Sequence, residues 1–246
     1  MPSLDTVNLI LFDHAETTSP LPRSDHRARH LLEVLRREPG DEFDAGLVNG
    51  LRGRGTLVAV GADALTLRFD WTPGPPPPPD PITLIVGLPR PQTARDILRD
   101  ATTLGVAAIH FVTTEKSERN YAGSALWTSG EWRRQMIAGA AQAFDTHIPE
   151  VTWQHPLAEV LEDGIENRAR FALDNYEAGA ALGTFDLKRD QSICLAIGPE
   201  RGWGSTDRDL LRARGFTLAH LGPRPLRTET AVVAALTVVK TVRGQM

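Results

Sequence analysis

Two rhythms of apolar and polar positions divide this chain. From residue 82 onward, short apolar runs trade places with longer stretches of helical period. Runs at 82–87, 107–112, 169–173, 192–197 and 216–221 predict strands, and stretches at 93–104, 129–144, 157–162, 206–214 and 229–242 predict helices. Such alternation predicts an α/β fold with a largely parallel sheet covered on both faces. Thr206 with Asp209 marks a helix start, Gly215 a stop, and Thr228 is a candidate cap for the last helix. The first 72 residues read as mostly β. A strand at 8–12 and a helix at 24–37, with Leu31, Leu32, Val34 and Leu35 on its apolar face, precede short strands at 42–48, 55–60 and 64–71. Turns at Pro39-Gly40-Asp41, Asn49-Gly50 and Gly61-Ala62-Asp63 separate them, in an order that suits a compact barrel-like module. Consecutive prolines from Pro75 to Pro79 cannot join a helix or a central strand. The expected organisation is a small domain at 1–72, a proline-rich linker at 73–81 and a larger domain at 82–246.

Composition narrows the class. An apolar share of 41% and a charged share of 24% are those of an ordinary globular protein. No apolar run approaches the roughly 20 residues that span a bilayer. Met1 to Asp13 lack the basic start and long apolar core of a signal peptide, so none is expected. Cys194, the single cysteine, sits in an apolar run and reads as a buried core thiol; it leaves no internal disulfide and no cysteine-based metal cluster. No histidines and acids share metal-ligand spacing, so no metal is expected. These readings point to the cytoplasm. A net charge of −4 argues against binding nucleic acid by bulk charge, and leaves room for local basic surfaces. Apart from Lys116, Lys188 and Lys240 every basic side chain is arginine, which suits phosphate contacts and base stacking; a GC-rich genome gives the same bias.

Candidate chemistry concentrates in two loops near the carboxyl end. Ile197-Gly198-Pro199-Glu200-Arg201-Gly202-Trp203-Gly204 and Leu221-Gly222-Pro223-Arg224-Pro225-Leu226-Arg227-Thr228-Glu229-Thr230-Ala231 each follow a buried-strand pattern and open into a helical one. Glycine and proline fix the backbone there and leave peptide groups free to line a pocket. Loops at the carboxyl ends of neighbouring strands are the usual small-molecule site of an α/β sheet. Neither the dinucleotide fingerprint nor the P-loop is present. Arg227 is placed to hold an anionic group or simply to be solvated.

The two loops resemble the RsmE family of RNA methyltransferases, within the SPOUT superfamily, whose signature reads approximately I-G-P-E-G-G and L-G-x-R-I-L-R-x-E-T-A. His30-Leu31-Leu32-Glu33-Val34-Leu35-Arg36 with Pro39-Gly40-Asp41 is similar to that family's H-x-x-x-V-L-R and G-D element in its PUA-like domain. Leu104-Gly105-Val106 and Thr114-Glu115-Lys116-Ser117 are similar to its E-L-G-V and T-E-R-S stretches. The resemblance implies a homodimeric enzyme with S-adenosylmethionine as cofactor, a deep trefoil knot, and methylation of N3 of a uridine in small-subunit ribosomal RNA. It places the cofactor against Leu173, Ile197, Gly198, Pro199, Gly202, Leu221, Gly222, Leu226 and Thr230, with Asn175 completing the first loop. Uridine N3 carries a proton that must leave. Arg227 is the candidate for stabilising the developing anion; Glu229 is a candidate base or a helix-capping side chain.

The chain departs from the family pattern at several positions. Asp100 and Thr103 stand where the pattern has lysine and glutamate, Lys116 replaces arginine, Asp145 stands where arginine is expected, and Arg201 takes the place of the second glycine of G-P-E-G-G. Candidate RNA contacts are Arg27, Arg29, His30, Arg36, Arg52, Arg54, Arg133 and Arg134, each alternatively a solvated side chain, with His30 alternatively a core histidine. Trp203, on the cofactor loop, is the candidate for base stacking, whereas Trp132 and Trp153 read as core. The altered positions leave two rivals open: the same chemistry on a different RNA, or an RNA-binding protein with lost or weak catalysis.

Overall fold

A computed structural model describes residues 9–162 and 168–246. The chain divides into one unit of residues 1–78 with 137–148 and another of residues 79–136 with 149–246. In the first, β1 (Ile10–Phe12), β2 (Leu21–Pro22), β3 (Glu42–Leu47), β4 (Arg52–Val60) and β5 (Ala64–Trp71) form a sheet in the order β1-β3-β4-β5-β2. Asn8, expected in the first strand, lies outside the described residues. The β1–β3 pair is parallel and the other pairs are antiparallel. Phe12, Phe43, Leu57 and Leu65 build the core, and Phe69 meets Phe12 edge-on at 4.9 Å between ring centroids. Glycine is required at Gly55 because a Cβ there would lie 2.3 Å from the Phe43 ring.

The helix expected at 24–37 is shorter and wider. A single α-turn, α1 (His26–Arg29), starts from Asp25, whose carboxylate accepts the Arg27 amide at 2.8 Å. From His30 the backbone widens to a π-type turn: the Leu35 amide donates to the His30 carbonyl, five residues back. Widening changes the angular spacing of the side chains. Leu31 is buried and Leu32 and Leu35 pack beside it, but Val34 turns outward and is 63% exposed. Residues 137–148 fasten to the β3–β4 turn: the Thr146 hydroxyl donates to Gly50 O at 2.7 Å, and the Ile148 amide to Asn49 Oδ1 at 2.9 Å.

The second unit runs β6 (Asp80–Gly87), α2 (Pro91–Thr103), β7 (Val106–Thr113), α3 (Ala125–Thr128), α4 (Glu131–Gln142), whose last residues belong to the first unit, β8 (Glu150–Pro156), α5 (Leu157–Val160), β9 (Ala169–Leu173), β10 (Ala180–Ala181), β11 (Ile193–Ile197), α6 (Ser205–Ala213), β12 (Thr217–His220) and α7 (Thr228–Val242). Its seven strands pair in parallel throughout, in the order β10-β12-β9-β11-β6-β7-β8. The apolar run Ile193-Cys194-Leu195-Ala196-Ile197 takes the central place, where a strand covered on both faces needs no polar alternation, and all five residues are buried. Strands β8 and β10 have no counterpart in the sequence reading. Trp127, Trp132 and Trp153 pack as a ring cluster, with Trp127 and Trp153 stacked at 4.9 Å, so Trp132 and Trp153 are packing residues as expected. Among the described residues no helix is long and apolar enough to cross a membrane.

The order of strand addition places the site. From β6 the sheet grows one way through β7 and β8. The chain then returns to lay down β9 one place away from β6, and β11 fills the gap, with Ile197 level with both Val86 and Leu173. Strand β12 takes the outer side of β9. The carboxyl ends of β6, β11, β9 and β12 therefore stand side by side, at a reversal of strand order.

Burial pushes the Cys194 thiol up to about 12. It should resist a chromogenic thiol reagent in the native chain near neutral pH and react fully after unfolding in guanidinium. Rapid native labelling would mean that the central strand is not closed.

Candidate active site

The loop after β11 lies on the end of β6, and only glycine permits it. A Cβ on Gly87 would fall 2.3 Å from Pro199 Cδ and 2.6 Å from its nitrogen. Beyond Pro199 the chain turns sharply: the Gly202 amide donates to the Pro199 carbonyl at 2.7 Å, with Gly202 at φ +67°. Gly198 packs against that turn, where a Cβ would approach Gly202 to 3.1 Å. Trp203 then drives its ring into the core, 1% exposed, and its indole N–H donates to the Leu173 carbonyl at 3.0 Å. One side chain thus ties the loop after β11 to the end of β9.

Residues after β7 hold the same loop from the other direction. The Lys116 ammonium donates to the carbonyls of Trp203 (3.0 Å) and Arg201 (3.5 Å). The Glu115 carboxylate accepts the Thr206 amide at 3.2 Å, and the Asp207 carboxylate accepts the amides of Glu115 and Gly204. Thr114 and Ser117 close their own turn through their hydroxyls at 2.8 Å. Residues 114–117 are therefore a clamp on the glycine loop.

A buried ion pair shapes the loop after β9. Asp174 Oδ1 accepts the amides of Tyr176 and Glu177, both at 2.7 Å, while Oδ2 accepts the Arg208 Nε–H at 2.7 Å. The two side chains are 2% and 10% exposed. This ties the 174–177 turn to α6, the helix that the glycine loop launches. Tyr176, 83% exposed, stands with the Arg208 guanidinium 5.7 Å from its ring centre. No motif or local period in the sequence singles out Asp174, Tyr176 or Arg208. Only the short polar Asp-Asn pair after an apolar run hinted at a turn there.

At the end of β12 the His220 ring accepts the Gly222 amide at 3.0 Å, and Gly222 takes φ +112°, a value suited to glycine. Residues 223–227 are exposed, including Leu226 and Arg227. Arg227, rather than Thr228, occupies the cap position of α7; Thr228 is the first helical residue and is buried, which corrects the expected cap. Glu229 is half-buried in the first turn, and Thr230 is exposed.

The strand ends gather the candidate cofactor residues. Leu173 and Ile197 are register partners, Gly198 and Pro199 are buried beside them, and Leu221 and Gly222 follow a strand whose Ala219 pairs with Leu173. Asn175 is exposed on the turn that Asp174 shapes. Trp203 cannot stack on a base from inside the core, so its role is corrected to the tie just described. Arg27 is likewise corrected. Its guanidinium bonds Glu16 and Asp25, lies 4.9 Å from the Phe12 ring centre, and is 13% exposed. The hydrogen bonds from Arg27 hold the Glu16 carboxyl below its ordinary value. Arg29 and Arg36 are exposed; Arg52 donates to the Phe144 carbonyl at 3.0 Å, and Arg54 pairs with Asp44 at 3.1 Å. Burial holds the half-buried His30 below the usual histidine value. On α4, Arg133 is half-buried and Arg134 exposed.

Residues 76–240 match the family described as RNA methyltransferase domain. The chain is 33% identical over 241 residues to the ribosomal RNA small subunit methyltransferase E of Treponema pallidum, covering 95% of this chain and 90% of that one. It is also similar to the crystal structure of a ribosomal RNA small subunit methyltransferase E from Neisseria gonorrhoeae bound to S-adenosyl methionine. The TM-score is 0.75 at 26% identity, over 96% of this chain and 97% of that one. A probable rRNA-methyltransferase from Porphyromonas gingivalis shares the fold, with a TM-score of 0.80 at 20% identity, over 96% and 98% of the two chains.

Asp174→Ala should destabilise the chain by about 3 kcal/mol in urea denaturation, because it removes the buried partner of Arg208 and leaves that guanidinium only the more exposed Glu177 carboxylate at 3.5 Å. Asp174→Ala combined with Arg208→Met should recover part of that loss. Equal losses in the single and double variants would show that the ion pair does not organise this turn.

Proposed function

This chain belongs to the ribosomal RNA small subunit methyltransferase E family of RNA methyltransferase domains, and on that premise we propose that it methylates N3 of a uridine in small-subunit ribosomal RNA, with S-adenosylmethionine as donor. The observation that carries this reading is the convergence of three strand-end loops, two of them rich in glycine and proline, at one reversal of strand order. The residues suit a nucleoside-bearing guest. A Cβ at Gly202 or Gly222 would meet no atom within 4 Å, so the space over both is open to backbone contact. Leu173, Ile197, Leu221 and Leu226 supply apolar contact; Asn175, Gly198, Pro199, Gly202, Gly222 and Thr230 supply backbone and polar contact.

The donor supplies an activated methyl on a sulfonium, so alignment is the main task left to the protein. The N3–carbon bond forms as the sulfur–carbon bond breaks, and the N3 proton leaves. Arg227, exposed at the start of α7, stabilises the negative charge that develops on the uracil imide. Glu229, one residue into the helix, accepts the proton or favours the helix start electrostatically. In this reading the second unit is a knotted SPOUT methyltransferase domain acting as a homodimer in the cytoplasm. The first is a PUA-like domain that docks RNA through Arg29, His30, Arg36, Arg52 and Arg54, aided by Arg133 and Arg134 on α4.

Deleting the gene should remove one N3-methyluridine from small-subunit ribosomal RNA, read by mass spectrometry of nuclease fragments. Restoring the unaltered gene should return it. Arg227→Ala should slow methylation in vitro by roughly 100-fold, about 2.7 kcal/mol of lost charge stabilisation, with the melting temperature unchanged. Unchanged turnover would remove Arg227 from the mechanism.

A further inference from the structure

A cleft flanks the Pro199 turn. Its apolar side is formed by Leu88, Pro199 and the half-buried Tyr121, and its polar rim by Arg90, Glu118 and Arg201. Lys116 and Glu200 also line it, but both have internal tasks. The Lys116 ammonium holds the carbonyls of Trp203 and Arg201, and the Glu200 carboxylate accepts the Arg90 amide at 2.9 Å. The two guanidinium groups are differently placed. That of Arg90 has no hydrogen-bond or ion-pair partner among the described residues. That of Arg201 is 72% exposed and among the described residues meets only Glu118, itself 53% exposed, at 3.6 Å. An exposed pair at this distance contributes little stability, so it yields readily to a better anion. Two planar forks beside an aromatic ring suit the phosphodiester backbone of a nucleic acid strand. Arg201 also stands where the family signature carries glycine, so this cation is a feature of the present chain.

We propose that this cleft binds the phosphodiester backbone of the RNA substrate beside the methyl-accepting nucleotide. Arg201 is its anchor, Arg90 its second contact, and Glu118 the internal anion that the phosphate displaces. The inference rests on the function proposed above and adds the site that holds the strand. It also accounts for cations missing elsewhere: where Asp100 and Asp145 stand in place of the family pattern's lysine and arginine, Arg201 returns a positive charge at the edge of the cofactor loop.

The test uses the full chain and a fluorescein-labelled single-stranded oligouridylate, with anisotropy recorded across a potassium chloride titration. Arg201→Gln should weaken binding about 3- to 10-fold at low salt and reduce the slope of log affinity against log salt by about 0.7, the share of one phosphate on a single strand. Glu118→Gln should act in the opposite direction and tighten binding, a result that loss of structure does not produce. Calorimetry with S-adenosylmethionine on the same variants should give the donor affinity of the unaltered chain. Unchanged RNA affinity and salt slope in Arg201→Gln, weaker binding in Glu118→Gln, or a parallel fall in donor affinity would each overturn this inference alone. An unaltered chain that binds neither donor nor RNA would overturn the proposed function, and this inference with it.

Discussion

The site depends on one close approach, Pro199 resting on the backbone of Gly87. Strands β6 and β11 are neighbours in a parallel sheet, so their carboxyl ends emerge together. A side chain on Gly87 would force the loop after β11 away, since the atom it would meet first is part of a proline ring fixed to the backbone. With glycine there, the loop folds down, closes its turn at Gly202 and sends Trp203 into the core between the sheet and α6. The indole bond to Leu173 then carries that placement across to β9, and the Asp174–Arg208 pair carries it back to α6. Each fastening uses a buried partner, so geometry set at one strand end fixes the next.

Sequence patterning reveals the interior of this fold better than its borders. The central strand β11 is unbroken apolar, and the helices α2 and α7 have clear lengths and stops, so one chain suffices to place them. Strand β8 is an edge strand, half-exposed along Val151, Thr152 and Trp153, exposed at Gln154, preceded by Pro149 and ending on Pro156; its alternation is too short and too polar to stand out. Residues 137–148 join the first unit through side-chain bonds from Thr146 and Asn49 that no local period encodes. The glycine-proline loops are legible because their chemistry is local. The buried state of Trp203 and the ion pair of Asp174 with Arg208, 34 residues apart, are not, because each depends on strands that meet only in the folded sheet.

Several departures from the family pattern have partners of their own. Asp145 Oδ1 accepts the amides of Thr146 and His147 and so shapes the segment that packs on the first unit. Asp100 pairs with Arg99 at 2.8 Å on α2. Lys116 performs as an ammonium the carbonyl-binding task that holds the glycine loop. These positions serve local structure, whereas Arg90, Arg201, Arg224 and Arg227 stand exposed on the loops that follow β6, β11 and β12.

Amide hydrogen exchange, recorded with and without S-adenosylmethionine, addresses the central claim at the level of individual peptide groups. Occupation of the strand-end loops should slow exchange selectively at residues 174–177, 198–204 and 221–227. Donor binding that leaves those three segments unchanged, or that protects a different part of the chain, would contradict the account.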